Sequence, residues 1–464
     1  MTAASPRIPA MDVLRGCAVM GILWMNITAF ALPQNAYFNP VAAGPMSAGD
    51  IAFWASSLIL VDGKMRGLFS LLFGASMLLL IDREEMAGRD GTRTQLVRGG
   101  WLLAIGLLHH ILLWWGDILV TYAVVGTIAL LFAQKEPLAL VKWAFLAFLI
   151  HFLICGAFIA SLYGWAHAAA APGAAAATRE GLDSFLAGLS DPSSPIIQQD
   201  IAIYTGSFGG IVRHHLTGFV GDWLWTFLFT GLDTLGFMLL GMAMLKGGFL
   251  IGRWPAEQYR QTARHCFLIG LVPMIGLTIW VIASGFAPLT AFSTALLWSF
   301  PFRIPLAVGW AALILWLLAR HRNHWLVGRI AATGRMALSN YLGTSLIMTA
   351  IFYGWGLGLF GQVRPAAFPL FLIAAWAVML LWSKPWLERF AMGPAEWHLT
   401  YFTGQENPMV VCVCNAIREK DLREAARDGA DTPCSAYARF GRRPKCGQCV
   451  GYARTIIAAE RATA

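Results

Sequence analysis

Residues 138–162 read LALVKWAFLAFLIHFLICGAFIASL, a stretch with no carboxylate and with Lys142 and His151 as its only basic side chains. A helix of that length and apolarity crosses a hydrocarbon core of ~30 Å. A barrel strand would alternate polar and apolar positions, whereas this run is continuous. Comparable runs lie on either side of it, at 12–31, 65–82, 99–115, 118–133, 223–245, 266–285, 303–319, 336–355 and 366–383. The chain therefore reads as all-α, a polytopic helical membrane bundle of about ten transmembrane helices. Residues 51–61 are apolar but short, and read as a re-entrant or interfacial piece or an extension of the second span.

Composition agrees. Of the 464 residues 58% are hydrophobic and 13% charged, about half the charge of a soluble domain. The net charge of +9 is spread over the connections between apolar runs, which is no nucleic-acid footprint. The partner implied is the lipid bilayer. The first apolar stretch lacks a small-residue cleavage site and reads as a retained helix.

Lys and Arg orient the bundle. One set of alternate connections holds Arg83, Arg89, Arg93, Arg98, Lys135, Lys246, Arg253, Arg260, Arg264, Arg320, Arg322, Arg329, Arg335, Lys384 and Arg389. The other holds only Arg179, Arg213, Arg303 and Arg364. The positive-inside rule puts the rich set in the cytosol, and an even number of spans puts both termini there. The connection over 163–221 is then outside, as either a binding loop or a tether.

The last residues differ in kind. Cys17, Cys155 and Cys266 are scattered in apolar runs, where a free Cys is usually a small buried hydrophobe. The other cysteines crowd into 412–449, with Cys412 and Cys414 as Cys-x-Cys and Cys446 and Cys449 as Cys-x-x-Cys. A short unit needs a staple, and four thiolates supply one. Structural zinc pairs its cysteines two to four residues apart. The tighter Cys-x-Cys suits an iron–sulfur cluster, whose ligands are shared between iron atoms. Cys434 reads as a packed small residue rather than a ligand. Ile417, Leu422, Ala425 and Ala426 share one helix side, Thr432-Pro433 opens a second helix, and a third runs through Ile457. The reducing cytosol keeps such thiols available.

The string VCVCNAI with the later KCGQC resembles the bacterioferritin-associated ferredoxin, or Bfd-like, [2Fe–2S] fold over residues 409–464. The resemblance implies a [2Fe–2S] cluster held by Cys412, Cys414, Cys446 and Cys449. It also implies an electron-transfer role toward an acidic redox partner such as bacterioferritin or a reductase. Residues 404–408 are then a linker. Met409 is a natural start residue, so the tail reads as an appended module that acts independently of the membrane part.

Within the membrane part, ionisable residues are the functional suspects. These are Arg15, Lys64, Arg66, the His109-His110 pair, Asp117, Asp233, and Arg335 with Asn340 and Tyr341. Each has a plainer reading: interfacial anchor for the cations, structural hydrogen-bonder for the histidines, helix cap for Asp117. The strings DVLRG, GILWMN, GKMRGLFSLLFG, GRMALSNY and GPAEW resemble the YeiB-like bacterial membrane family over residues 8–403. That family is distantly similar to transmembrane acyltransferases, which implies a bacterial inner-membrane location and acyl transfer from a cytosolic donor to a sugar or similar acceptor.

On that expectation the catalytic set is His109, Asp117, Arg15 and Asn340. Imidazole suits a general base near neutral pH, and Lys64 and Arg66 join Arg15 in holding the phosphates of acyl-CoA. Asp117 reaches His109 only if Gly116 breaks the helix, since eight residues span about 12 Å. His109 fits the family string and His110 does not. Two other classes stay open: a solute transporter using Asp117 and Asp233, and a membrane redox protein linked to iron mobilisation, with His109 or His110 and His151 as haem ligands.

Overall fold

The computed structural model describes residues 9–402, 410–412, 415, 417–443 and 449–463. The membrane part runs α1 (Pro9–Ala31), α2 (Ala48–Leu60), α3 (Lys64–Met86), α4 (Gly91–Leu112), α5 (Leu119–Ala129), α6 (Pro137–Ala170), α7 (Ala176–Ser190) and α8 (Pro195–Tyr204). It continues with α9 (Phe208–Thr226), α10 (Leu232–Lys246), α11 (Ala256–Ala283), α12 (Pro288–Ser293), α13 (Phe300–Arg320), α14 (Trp325–Arg335), α15 (Ala337–Phe352), α16 (Phe368–Arg389) and α17 (Pro394–Phe402).

Among the described residues seven helical stretches are long and apolar enough to cross a membrane: Pro9–Ala31, Ala48–Met86, Pro137–Ala170, Phe208–Lys246, Ala256–Ala283, Phe300–Arg320 and Pro365–Arg389. The chain is an integral membrane protein on that ground. The expected count of about ten is not reached by length and apolarity alone. The runs at 118–133 and 336–355 are the shorter apolar helices Leu119–Phe132 and Ala337–Phe352. Most of the run at 99–115 lies in α4, where Gln95, Arg98, His109 and His110 dilute the apolar residues. The 51–61 piece is α2, which joins α3 through a turn at Gly63 with positive φ. The 163–221 connection is also more helical than expected. It holds α7 and α8, and α9 begins at Phe208 because the Ser207 hydroxyl accepts from Gly210 N–H and caps it.

α3 packs on α10, α10 on α6, α11 on α13, and α1 on α14, α3 and α15. Small residues permit the closest crossings. A Cβ at Gly241 would run into the backbone of Leu71, and one at Gly74 into the backbone of Met238. The largest core lies around α1, α3, α10 and α13, with Leu14, Leu68, Leu71 and Met238 fully buried.

The tail comprises strands β1 (Val410–Cys412) and β2 (Ile417–Arg418), then α18 (Glu419–Arg427), α19 (Pro433–Arg439) and α20 (Val450–Thr463). β1 and β2 pair antiparallel, a small departure from an all-helical tail. Ile417, Leu422, Ala425 and Ala426 share a core with Tyr437, Ile456 and Ile457. Thr432 caps α19 in a reciprocal box with Ser435. Arg423 and Arg427 bridge α18 to Glu460 of α20 at 2.6 and 2.7 Å. Cys434 is exposed rather than packed, because the α19 face that enters the core carries Pro433, Ala436 and Tyr437.

Candidate functional site

α4 ends at Leu112, and both Leu113 N–H and Trp114 N–H donate to the carbonyl of His109. The chain then reverses into α5. Gly116 makes the turn possible, since a Cβ there would meet the Trp114 ring. The reversal returns Asp117 to the helix it left. One carboxylate oxygen accepts from Val120 N–H at 2.9 Å and caps α5. The other lies 2.8 Å from His109 Nδ1, an ion-pair distance without hydrogen-bond alignment. Both side chains are buried. Gly106 leaves the space for this, because a Cβ at that position would press on Asp117 and on the start of α5.

Tyr341 of α15 completes the group. Its ring lies 5.1 Å from the imidazole, its hydroxyl accepts from Ile118 N–H at 3.3 Å, and it interacts with the Asp117 carboxylate. A carboxylate facing Nδ1 favours the proton on that nitrogen and leaves Nε2 as an acceptor. His109 Nε2 is buried and has no hydrogen-bond partner among the described residues.

Tyr341 also lines a cavity of about 230 Å³ between α1, α3, α4, α5, α15 and α17. Its walls are apolar, with Val19, Phe69, Leu72 and Leu102 among them. Polar groups collect at two levels. Tyr122 and Tyr341 lie toward Ile118, and Arg15, Ser76, Arg98, Arg335 and Glu396 form the other level. Along α1 the cavity runs from Arg15 to Ile22, about 10 Å at 1.5 Å per residue. Arg15 pairs with Asp12 at 3.2 Å and donates to Ser76 Oγ at 3.2 Å. Glu396 accepts from Leu338 N–H at 2.7 Å and Ser339 N–H at 3.2 Å, so its charge is taken up by the first turn of α15. Arg98 has no hydrogen bond or ion pair among the described residues.

Three expected members stand elsewhere. Lys64 is fully buried and donates to the Leu58 carbonyl. Arg66 is paired with Asp233 and donates to Thr234 Oγ1 at 3.1 Å. With Tyr37, Asp62 and Arg303 they form a separate buried cluster, in which Arg303 meets Asp62 at 3.0 Å. Charges in hydrocarbon surroundings pair with one another, as Arg66 does with Asp233 and Arg303 with Asp62, and neither Lys64 nor Arg66 lines the cavity beside Tyr341. Asn340 is a staple between helices. Its amide donates to the Thr333 carbonyl at 3.0 Å and Ser383 Oγ at 3.2 Å, and accepts from Trp382 Nε1 at 2.8 Å. Of the expected catalytic set, the structure brings His109 and Asp117 together and puts Arg15 at the far level of the adjoining cavity.

His110 faces away from Asp117. It packs on His215 and Trp223 at ring distances of 5.8 and 5.1 Å, with Asp222 at 3.9 Å. His151 packs on Phe300 at 4.4 Å and lies 3.5 Å from Cys155 Sγ, with no contact to either histidine of α4 among the described residues. Arg98, Glu396 and the partnership of Tyr341 with Asp117 escaped the sequence reading. Tyr341 and Glu396 carried a signal, as parts of the GRMALSNY and GPAEW strings.

In the tail, Cys412 is buried and Cys449 accepts from the Tyr437 hydroxyl at 3.1 Å. The two thiols interact with each other and with that hydroxyl. One lies on β1 and the other just before α20. Cys414 and Cys446 lie outside the described residues. Among the described residues no three His, Cys, Asp or Glu side chains converge as a metal site.

Residues 244–404 match the family DUF418, described as a protein of unknown function. The chain is 32% identical over 408 residues to YxaH of Bacillus subtilis strain 168, covering 85% of this chain and 94% of that protein. It is 32% identical over 395 residues to YeiB of Escherichia coli strain K12, covering 83% of this chain and 94% of that protein. No solved structure matches the chain.

Proposed function

Because the chain belongs to the family of YxaH and YeiB, we propose that its membrane domain, rather than its tail, carries the chemistry, and that this chemistry is acyl transfer. One observation carries the reading: a buried imidazole faces a carboxylate on one nitrogen and has its other nitrogen unpartnered, and Tyr341, whose ring lies against it, lines an apolar cavity with arginines at its far level. His109 Nε2 takes the proton of an acceptor hydroxyl as that oxygen attacks the acyl carbonyl. Asp117 holds the ring in place and stabilises the imidazolium. The C–O bond forms, the C–S bond of the donor breaks, and the proton passes to the leaving thiolate. Arg15 and Arg98 suit the phosphates of an acyl-CoA. Asp233 is neutralised by Arg66, which weighs against solute transport through that carboxylate.

The test is release of coenzyme A thiol by the full chain in proteoliposomes, supplied with acyl-CoA and a panel of sugar acceptors. Arg98→Gln should raise KM for the donor about tenfold, the worth of one hydrogen bond to a charged group. Absence of wild-type turnover with every donor and acceptor would overturn the reading.

The same proposal includes orientation in a bacterial inner membrane with both termini cytosolic. That requires α4, α5 and α15 to cross alongside the seven longer stretches, and it turns Arg15, Arg98 and Arg335 toward the cytosolic donor. Reporter fusions after residue 190 should read outside and those after residue 255 inside. The reverse pattern would turn the arginine level away from the donor.

The tail module suits a [2Fe–2S] cluster on Cys412, Cys414, Cys446 and Cys449, supported by the approach of the two described thiols. Such a group supplies one-electron transfer when bound. The basic residues of the tail suit an acidic redox partner.

A further inference from the structure

Leu23, Asn26 and Phe30 fall on one face of α1 by helical spacing. With Tyr341, Thr344 and Ser345 they line a small cavity of about 10 Å³. It adjoins the larger cavity and shares Val19, Ile22 and Tyr341 with it. The same rings wall in His109. Tyr341 lies beside the imidazole, and Phe30 stacks at 4.1 Å on Trp114, which meets the imidazole edge-on at 6.4 Å.

The donors in this small cavity can be counted. Ser345 gives its hydroxyl proton to the Tyr341 carbonyl at 3.2 Å, and Thr344 gives its own to the Asn340 carbonyl at 2.6 Å. The Tyr341 hydroxyl accepts from Ile118 N–H at 3.3 Å and lies near the Asp117 carboxylate. The Asn26 side chain is half-buried and its amide has no hydrogen bond among the described residues, so its N–H groups are uncommitted donors there. Room of this size takes about one water-sized group, so it fits a single oxygen atom and not an acyl chain.

We propose that Asn26 is a catalytic residue that donates a hydrogen bond to the carbonyl oxygen of the acyl group. This rests on the acyl-transfer reading above and names the group that receives the charge. As the acceptor oxygen bonds to the carbonyl carbon and His109 takes its proton, the carbonyl oxygen becomes an oxyanion held by Asn26 Nδ2–H. On collapse the C=O bond re-forms, the C–S bond breaks, and the His109 proton goes to the thiolate. Preorganised amide donors of this kind stabilise charge that appears only in the transition state.

The experiment uses the full chain in proteoliposomes with acetyl-CoA carrying a ¹³C carbonyl. Infrared difference spectra should show the bound carbonyl stretch moved to lower frequency in the wild type, and the move should be lost in Asn26→Leu. Thiol release should fall about 10²–10³-fold in kcat, with KM within about threefold. Asn26→Gln, which keeps the amide one methylene out of place, should recover part of both signals and show that loss of folding is not the cause. An unmoved carbonyl in the wild type, or an Asn26→Leu protein that keeps both the shift and the rate, overturns the proposal. A shifted carbonyl without thiol release in the wild type supports the Asn26 contact and overturns acyl transfer instead.

Discussion

His109→Gln should lower acyl-transfer kcat by about 10²–10⁴-fold, the usual worth of a general base, while His110→Gln should lower it only modestly. The difference follows from what each ring faces. His109 has Asp117 at 2.8 Å on one side and an unpartnered nitrogen on the other. His110 Nδ1 lies 3.0 Å from the Trp115 carbonyl, and the ring packs among His215, Phe219 and Trp223. Neighbouring residues on a helix point about 100° apart, so the two histidines serve different surroundings. Asp117→Asn should track His109→Gln in kcat and leave donor KM near the wild-type value. Turnover measured with acetyl-CoA and a responsive acceptor decides the matter. Equal and mild losses from both histidines would return the pair to a structural role.

Cys412→Ser or Cys449→Ser should remove iron, labile sulfide and visible absorbance from the purified full chain, whereas Cys434→Ser should leave all three. Cys412 and Cys449 meet beside Tyr437 although one lies on β1 and the other just before α20. Cys434 is exposed on α19. Removing one thiolate of four leaves an incomplete ligand set for a cluster. Stoichiometric zinc and a colourless protein after anaerobic purification would overturn the cluster. If the membrane domain cut after Gly404 performs as the intact chain does, the two parts work independently.

How far the sequence reached depended on whether the deciding force was local. The membrane helices were legible from runs such as 138–162, because lipid offers no partner to the backbone and a continuous apolar stretch must satisfy its own hydrogen bonds as a helix. The cap at Thr432-Pro433 was legible for the same kind of reason: a side chain serves the turn beside it. The possible return of Asp117 to His109 could be posed from Gly116, but only the turn through Trp114 brings it about. The buried polar groups were not legible, since their partners lie far along the chain. Arg66 is matched by Asp233, Arg303 by Asp62, and Asn340 by Ser383 and Trp382. Arg15 and Arg98 meet at one cavity only because α1, α4 and α17 pack around it. Asn26 entered the sequence reading only as the last residue of the GILWMN string. The sequence by itself determined that this protein is a helical membrane protein with a thiol-rich tail. The tertiary structure alone decided which charges are consumed in pairing and which side chains remain uncommitted, because in a low-dielectric interior each buried polar group takes whatever partner helix packing brings within reach.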